Sequence, residues 1–186
     1  TGVLANSSIP KPADSLVVYY STPTTGNIGG RSGADALCLS SLDNDSISLF
    51  NNSCNSVRAI LSIDSNDEIR DMASNYSIPT NKTVRGDTGR RFADSWDNLT
   101  AATSYSIYSA SAALGYTIDE HWSGSESSGE LNANSHCINW TSEDGGRTGR
   151  TGVAKNSSYA SEILDKLFAM HYQNCNYQLR LLCVCF

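Results

Sequence analysis

The side chains best equipped for chemistry are six cysteines, Cys38, Cys54, Cys137, Cys175, Cys183 and Cys185, and three histidines, His121, His136 and His171. No two cysteines are separated by two residues, the spacing that structural zinc sites and thioredoxin-type redox centres favour. An even number at long separations, with one next to the last residue, reads as disulfides tying a terminal strand to an early helix. Each would stabilise the fold by roughly 3 to 5 kcal/mol by constraining the unfolded chain. Such bonds persist in oxidising compartments, which predicts a secreted, periplasmic or cell-surface protein.

The other reactive groups do not assemble into an active site. A nucleophilic Ser or Cys needs a base beside it, and no Gly-x-Ser-x-Gly elbow occurs. His136 adjoins Cys137, which is itself expected in a disulfide, and Asp119-Glu120-His121 reads as a solvated turn. Gly145-Gly146-Arg147-Thr148-Gly149-Arg150 lacks the Lys-Ser/Thr of a phosphate-binding loop. It reads as a mobile surface loop in which Arg147 and Arg150 meet acidic groups. Arg85-Gly86-Asp87 spells the integrin-binding tripeptide, and Pro79 and Gly89 favour a loop there, but framework glycine is the simpler account. Neither the Glu-Pro-Asn type of calcium loop nor a Trp-Asn-Asp block is present. The expectation is a protein without enzymatic activity, cofactor or metal.

These residues must be positioned by short elements. Residues 1–15 are polar, contain Pro10 and Pro12 and show no period, which predicts a linker or tether. Leu16 to Tyr20 is a β-branched and aromatic run with strand composition. After the glycine-rich turn Thr25 to Gly30, the residues Ala34, Leu37, Cys38 and Leu42 fall at helical spacing, with Cys38 on the buried face. Val57 to Ser62 predicts a second strand and Asn66 to Ala73 a short helix capped by Asp64 or Ser65. Tyr76 to Gly115 reads as loop-rich, Trp122 to Ser125 and Cys137 to Ser142 as strands, and Glu143 to Gly152 as a loop. Ser161 to Met170 reads as a helix, and Tyr177 to Phe186, apolar on both faces at its end, as a central strand. Trp96, Trp122 and Trp140 are assigned to the core. Strands at opposite ends of residues 16–186 are expected to pair, giving one α+β domain closed by its own ends.

Composition narrows the partners. The net charge is −6, with only 17% charged residues, so the clustered Lys and Arg that bind nucleic acid are missing. Three Trp, nine Tyr and four Phe exclude charge-rich disorder. The longest apolar run, Leu181 to Phe186, is far short of the roughly 20 residues that cross a bilayer. Any export signal or lipid anchor is expected outside these residues, since no apolar signal region follows Thr1.

Six blocks, in order, resemble a known family: Thr25 to Gly30 with Gly33 to Cys38, Ile78 to Asn81 with Val84 to Gly86, Phe92 to Trp96, Trp122 to Ser125, Cys137 to Ser142, and Cys175 with Leu181 to Cys183. Together they are similar to bacterial surface lipoprotein domains described as endostatin-like, with the C-type-lectin fold. The resemblance covers residues 16–186. It implies N- and C-terminal strands paired, a long loop-rich ligand-binding half, and disulfides Cys38–Cys183 and Cys137–Cys175. Cys54 and Cys185 are left to pair with each other, which goes beyond the family pattern. Cys183 and Cys185 lie two apart on a strand and so face the same side.

The resemblance also implies a binding function. Some bacterial members with this fold end in a segment diversified by an adenine-directed reverse transcriptase, which leaves Tyr, Asn, Ser, Asp and His scattered over a fixed framework. Here Asn156, Ser157, Ser158, Tyr159, His171, Tyr172, Asn174, Asn176 and Tyr177 alternate with Leu164, Leu167, Phe168, Leu179 and Leu181. Tyr, Ser and Asn also dominate antibody paratopes, combining rigid contact area with adaptable hydrogen bonding. Ordinary sheet residues on a Ser- and Asn-rich chain would look similar. The expected ligand-binding set is Arg147, Arg150, Asn156, Tyr159, His171, Tyr172, Asn174, Asn176 and Tyr177, facing a protein ligand on another cell or host. The alternatives are a fixed adhesin for extracellular-matrix or complement proteins and a carbohydrate- or calcium-binding lectin.

Overall fold

The structure is a computed structural model that describes residues 15–42, 54–100, 110–115, 120–153 and 166–186. At its centre β1 (Ser15–Tyr20) lies antiparallel to β8 (Arg180–Cys185), with Val17 opposite Cys185 and Tyr20 opposite Leu182. The expected pairing of the two ends of the domain is therefore present. All six residues of β1 are buried, because β3 (Thr83–Gly86) runs parallel along its other edge and both of its faces are covered.

Around this pair the chain adds β2 (Val57–Ala59), β4 (Arg91–Ala93), β5 (His121–Trp122), β6 (Thr148–Gly152) and β7 (Tyr172–Asn174). The sheet order is β4-β3-β1-β8-β5-β6-β7, with β2 also paired to β8. Arg180 and Leu181 of β8 pair with β5, whereas Cys183 to Cys185 pair with β2, so two short strands share one edge of β8 in succession. Helices among the described residues include α1 (Gly30–Ser41), α2 (Met72–Tyr76), α3 (Trp96–Thr100) and α4 (Ala110–Leu114). The described residues thus form a mixed α+β structure with one eight-stranded sheet and three disulfides. None of their helices is long and apolar enough to cross a membrane.

The period-2 alternation of β1 and β8 divides the core. Leu16, Val18, Tyr20, Leu182 and Val184 face a cluster with Met72, Phe92, Trp96, Leu99 and Phe168. Val17, Tyr19, Cys183 and Cys185 face the opposite cluster, with Ala34 and Cys38 of α1, Trp122 and Trp140. Packing of α1 is close at its start, where a Cβ on Gly33 would lie 1.9 Å from the Ile28 carbonyl oxygen. Two charged residues of α1 then fasten it to β2: the Ala59 N–H donates to Asp35 Oδ1 (2.9 Å), and Arg31 donates to the Ala59 carbonyl (2.7 Å) and to Asp67 (2.8 Å). Cys38–Cys183, Cys54–Cys185 and Cys137–Cys175 all form, with Cα separations of 5.7, 5.3 and 5.7 Å.

Several local expectations are corrected. The helix expected over Asn66 to Ala73 begins later, as a 3-10 turn at Ile69–Asp71 leading into α2; Asp64 instead closes a turn by accepting from the Asn66 N–H. The segment expected to be loop-rich, Tyr76 to Gly115, holds β3, β4, α3 and α4. Cys137–Trp140 is a helical turn rather than a strand, and Glu143 to Gly152 ends in β6 rather than remaining a loop. Of the expected helix Ser161 to Met170, residues 166–168 are helical and 161–165 lie outside the described residues, as do residues 1–14 of the expected linker. Ser15 already belongs to β1.

Candidate functional site

Three of the expected binding residues come together on the β6–β7 ribbon at the end of the sheet. Thr148 lies opposite Asn174 and Arg150 opposite Tyr172. Residues directly opposite share a face of the ribbon. Gly149, between Thr148 and Arg150, faces inward: a Cβ there would lie 2.8 Å from the Trp122 ring and 2.9 Å from Cys137 Sγ. The outward face therefore carries Thr148, Arg150, Tyr172 and Asn174. The Arg150 guanidinium stacks over the Tyr172 ring at 4.3 Å and reaches Glu126 Oε2 at 3.6 Å. With Arg150 at 12% side-chain exposure and Tyr172 at 54%, the pair presents an aromatic edge on a rigid cationic support. Arg150 is thus a strand residue held by two partners, not part of a mobile loop.

The remaining expected residues are distributed around this ribbon. His171 precedes β7, is exposed, and pairs through Nδ1 with Glu120 Oε1 at 2.7 Å. Asn176 and Tyr177 lie in the turn after Cys175, where the Tyr177 N–H donates to the Asn174 carbonyl at 2.9 Å. Arg147 is exposed, and its carbonyl accepts the Cys175 N–H at 2.9 Å. Asn156 and Tyr159 lie outside the described residues.

A second segment that sequence reasoning missed adjoins the ribbon. In the turn Cys137–Trp140 all four residues are left-handed, with φ of 48°, 54°, 52° and 62°. The Cys137–Cys175 disulfide fastens it to the end of β7, and the loop after β1 closes over it: Ile28 N–H and Gly29 N–H both donate to the Trp140 carbonyl at 2.9 Å. Trp140 is buried against Trp122, with ring centroids 5.5 Å apart, and donates its indole N–H to the Ser62 carbonyl at 2.8 Å. Ile138 is pushed outward and stays 47% exposed. In the sequence it stood only as an isoleucine between Cys137 and Asn139, two residues before a tryptophan assigned to the core. Tyr172, Tyr177 and Ile138 are three of the four exposed large apolar residues among the described residues.

Two motifs lie within the packed frame. His121 is not in a solvated turn: it is 1% exposed on β5, with Nδ1 3.3 Å from the Tyr20 hydroxyl. Burial pushes its imidazole down to about 4, although the Leu167 backbone favours the charged ring. The Arg-Gly-Asp tripeptide is not an exposed loop either. Arg85 and Gly86 are β3 residues paired with β1, and Asp87 is 8% exposed; burial raises its carboxyl to about 7 against the backbone hydrogen bonds of Thr88 and Asp87. Among the described residues no three His, Cys, Asp or Glu side chains gather as a metal-binding set.

No protein-family model matches this chain, and no curated protein matches it.

Proposed function

We propose that this chain is a non-enzymatic ligand-binding domain of the C-type-lectin-like, endostatin-like kind, displayed on a bacterial surface through its N-terminal tether and a lipid anchor. Its binding face is the end of the sheet formed by the β6–β7 ribbon and the adjoining turns. The observation that carries this reading is the clustering of exposed Tyr172, Asn174 and Tyr177, with Arg150 under Tyr172, on backbone fastened by the Cys137–Cys175 disulfide. Exposed tyrosines on a rigid support give contact area at little entropic cost, and neighbouring Asn and Thr side chains supply adaptable hydrogen bonds. The pairing of all six cysteines fits display in an oxidising compartment.

The sharper form is a variable protein of a diversity-generating retroelement, in which exposed positions change over a fixed frame. Cys175, Leu181 and Cys183 are buried within the same segment that exposes Tyr172, Asn174 and Tyr177, which is the division such diversification needs. Two measurements test the reading. Capture of proteins from a panel of cell-surface, matrix and complement proteins is expected to be lost when Tyr172, Asn174 and Tyr177 are changed to Ala together; retained capture overturns the assigned face. A near-copy of the coding segment for Thr141 to Phe186, differing at adenines and beside a reverse-transcriptase gene, is expected in the genome. Its absence reduces the protein to a fixed adhesin.

A further inference from the structure

We propose that an open groove beside this face, of about 420 Å³, receives an acidic segment of a protein partner, with a carboxylate on Arg147 and a neighbouring aliphatic side chain on Ile138. This deepens the reading above and rests on it.

The argument begins with strain. A left-handed residue costs an L-amino acid roughly 1 to 2 kcal/mol, and for a β-branched residue it is an outlier. Cys137–Trp140 places four in a row, one of them Ile138. The surroundings hold the turn in place: the disulfide at Cys137, the buried Trp140, and the His136 ring, whose Nδ1 accepts the Asn139 N–H at 2.8 Å. Those contacts hold the backbone of the turn, as do the Thr141 N–H and hydroxyl, which donate to the Ile138 carbonyl at 3.1 and 2.6 Å, but none of them uses the Ile138 side chain. A turn serving only packing would be better with Gly or Asn there, since both tolerate this backbone and neither exposes apolar surface. Isoleucine at 138 is unfavourable in backbone conformation and in exposure together, and such coincidences mark functional positions.

The same groove also carries the charge. Arg147 has its backbone fixed on both sides, its N–H donating to the Asp144 carbonyl at 3.0 Å and its carbonyl accepting from Cys175, while its side chain is exposed. The His136 ring has both nitrogens engaged within the protein: Nδ1 accepts from the Asn139 N–H and Nε2 faces the Ala133 carbonyl at 3.1 Å. Among the described residues that line the groove there is no carboxylate, on a chain of net charge −6. Asp144, three residues before Arg147, turns its Oδ1 onto the Gly146 N–H at 2.8 Å. A guanidinium presents a donor fork matched to a carboxylate, and Ile138 beside it selects an aliphatic neighbour.

The test uses the full chain with its disulfides intact and two probes, acetyl-Leu-Glu-Leu-amide and acetyl-Leu-Gln-Leu-amide, in an amide NMR titration. The Glu peptide is expected to give saturable shifts confined to residues 133–138 and 146–148. Binding should weaken about tenfold with the Gln peptide or with Arg147→Gln, which remove one charge-assisted contact. Ile138→Asn, compatible with the left-handed turn, should weaken it severalfold while the remaining amide spectrum stays unchanged. No saturable shift, or equal response to both peptides, overturns the groove assignment. Shifts confined to Arg150, Tyr172 and Asn174 also overturn it but leave the broader binding face standing. That broader reading fails separately, through retained capture by the Tyr172, Asn174 and Tyr177 variant.

Discussion

The two faces of the β1–β8 pair are buried to the same extent and held by different means. On one, Leu16, Val18, Tyr20, Leu182 and Val184 meet Met72, Phe92, Trp96 and Leu99, with no cysteine in the cluster. On the other, Val17, Tyr19, Cys183 and Cys185 meet α1 and the Trp122–Trp140 pair, and all three disulfides lie there. The difference teaches where display is possible. A face held by apolar area requires its covering segments to be apolar. A face held by covalent links can carry segments whose other residues are polar, strained or exposed, and the turns bearing Ile138, Asn176 and Tyr177 attach on this side through Cys137 and Cys175.

The strongest way to break this comparison is reduction. Loops separated by 145, 131 and 38 residues are closed by the three bonds. In the chain-entropy model each contributes on the order of 4 to 5 kcal/mol when considered alone, against a total stability of roughly 5 to 15 kcal/mol for a domain. Full reduction is expected to abolish cooperative unfolding, followed by near-UV circular dichroism of the tryptophans. A sharp transition in excess reductant would show that the cysteine-bearing face is held by packing as well.

Next in size is the apolar face. Trp96 is 1% exposed between α3 and the sheet, and Trp96→Ala should destabilise by about 3 to 5 kcal/mol. Because the ribbon is fastened elsewhere, the NMR shifts of residues 133–138 and 146–148 are expected to persist in this variant below its lowered melting temperature. Loss of those shifts in the folded variant would show that the two faces are not independent.

The apolar face also holds two titratable groups in uncharged form, and their pH dependences oppose each other. His121 is at about 4 when folded against 6.5 in a free chain, so the unfolded state binds more protons between these values. Its contribution to stability is present above pH 6.5 and is lost as pH falls towards 4. Asp87 is at about 7 against 3.8, so the folded state binds the extra proton. Its contribution is present below pH 3.8 and is lost as pH rises through 7. Each is worth on the order of 3 kcal/mol over its window. Urea titrations from pH 4 to 7 should show a nearly flat profile, with Asp87→Asn rising with pH and His121→Phe falling. Parallel profiles in all three proteins would remove both assignments.

The residues also show how much was legible beforehand. β1, β8 and α1 were readable because each carries its signal within a few residues: β-branched and aromatic composition in β1, apolar residues on both faces at the end of β8, and helical spacing in α1, with Ala34 and Cys38 on one side. β3 was not, because Thr83-Val84-Arg85-Gly86 has one large apolar residue and becomes a strand through its pairing with β1 on one edge and β4 on the other. Cys137–Trp140 has strand composition, but the disulfide and the buried Trp140 override that preference. His121 looked solvated beside Asp119 and Glu120, yet β5 turns it inward towards Tyr20, a partner 101 residues away. At the candidate site, Tyr172 and Asn174 were visible by type and spacing. Their partners Arg150 and Thr148 became a face only with the β6–β7 register, and Ile138 only with the left-handed turn.

The smallest expected effect concerns how firmly the exposed ribbon is held without apolar burial. Arg150 stands between two partners, the Tyr172 ring and Glu126. A double-mutant cycle with Arg150→Met and Tyr172→Leu isolates the stacking, since Met keeps much of the packing volume and Leu keeps apolar bulk. The coupling is expected at about 0.5 to 1 kcal/mol, typical of a cation–π pair near solvent. Raising salt should weaken the Arg150–Glu126 attraction more than the stacking, so the coupling should survive at 1 M salt while the effect of Glu126→Gln disappears. Coupling that vanishes with salt would make Tyr172 a side chain merely adjacent to a charge pair. Coupling that persists gives the ribbon an anchor for its exposed aromatic that depends neither on a disulfide nor on the core, and so separates display from stability at the level of one residue pair.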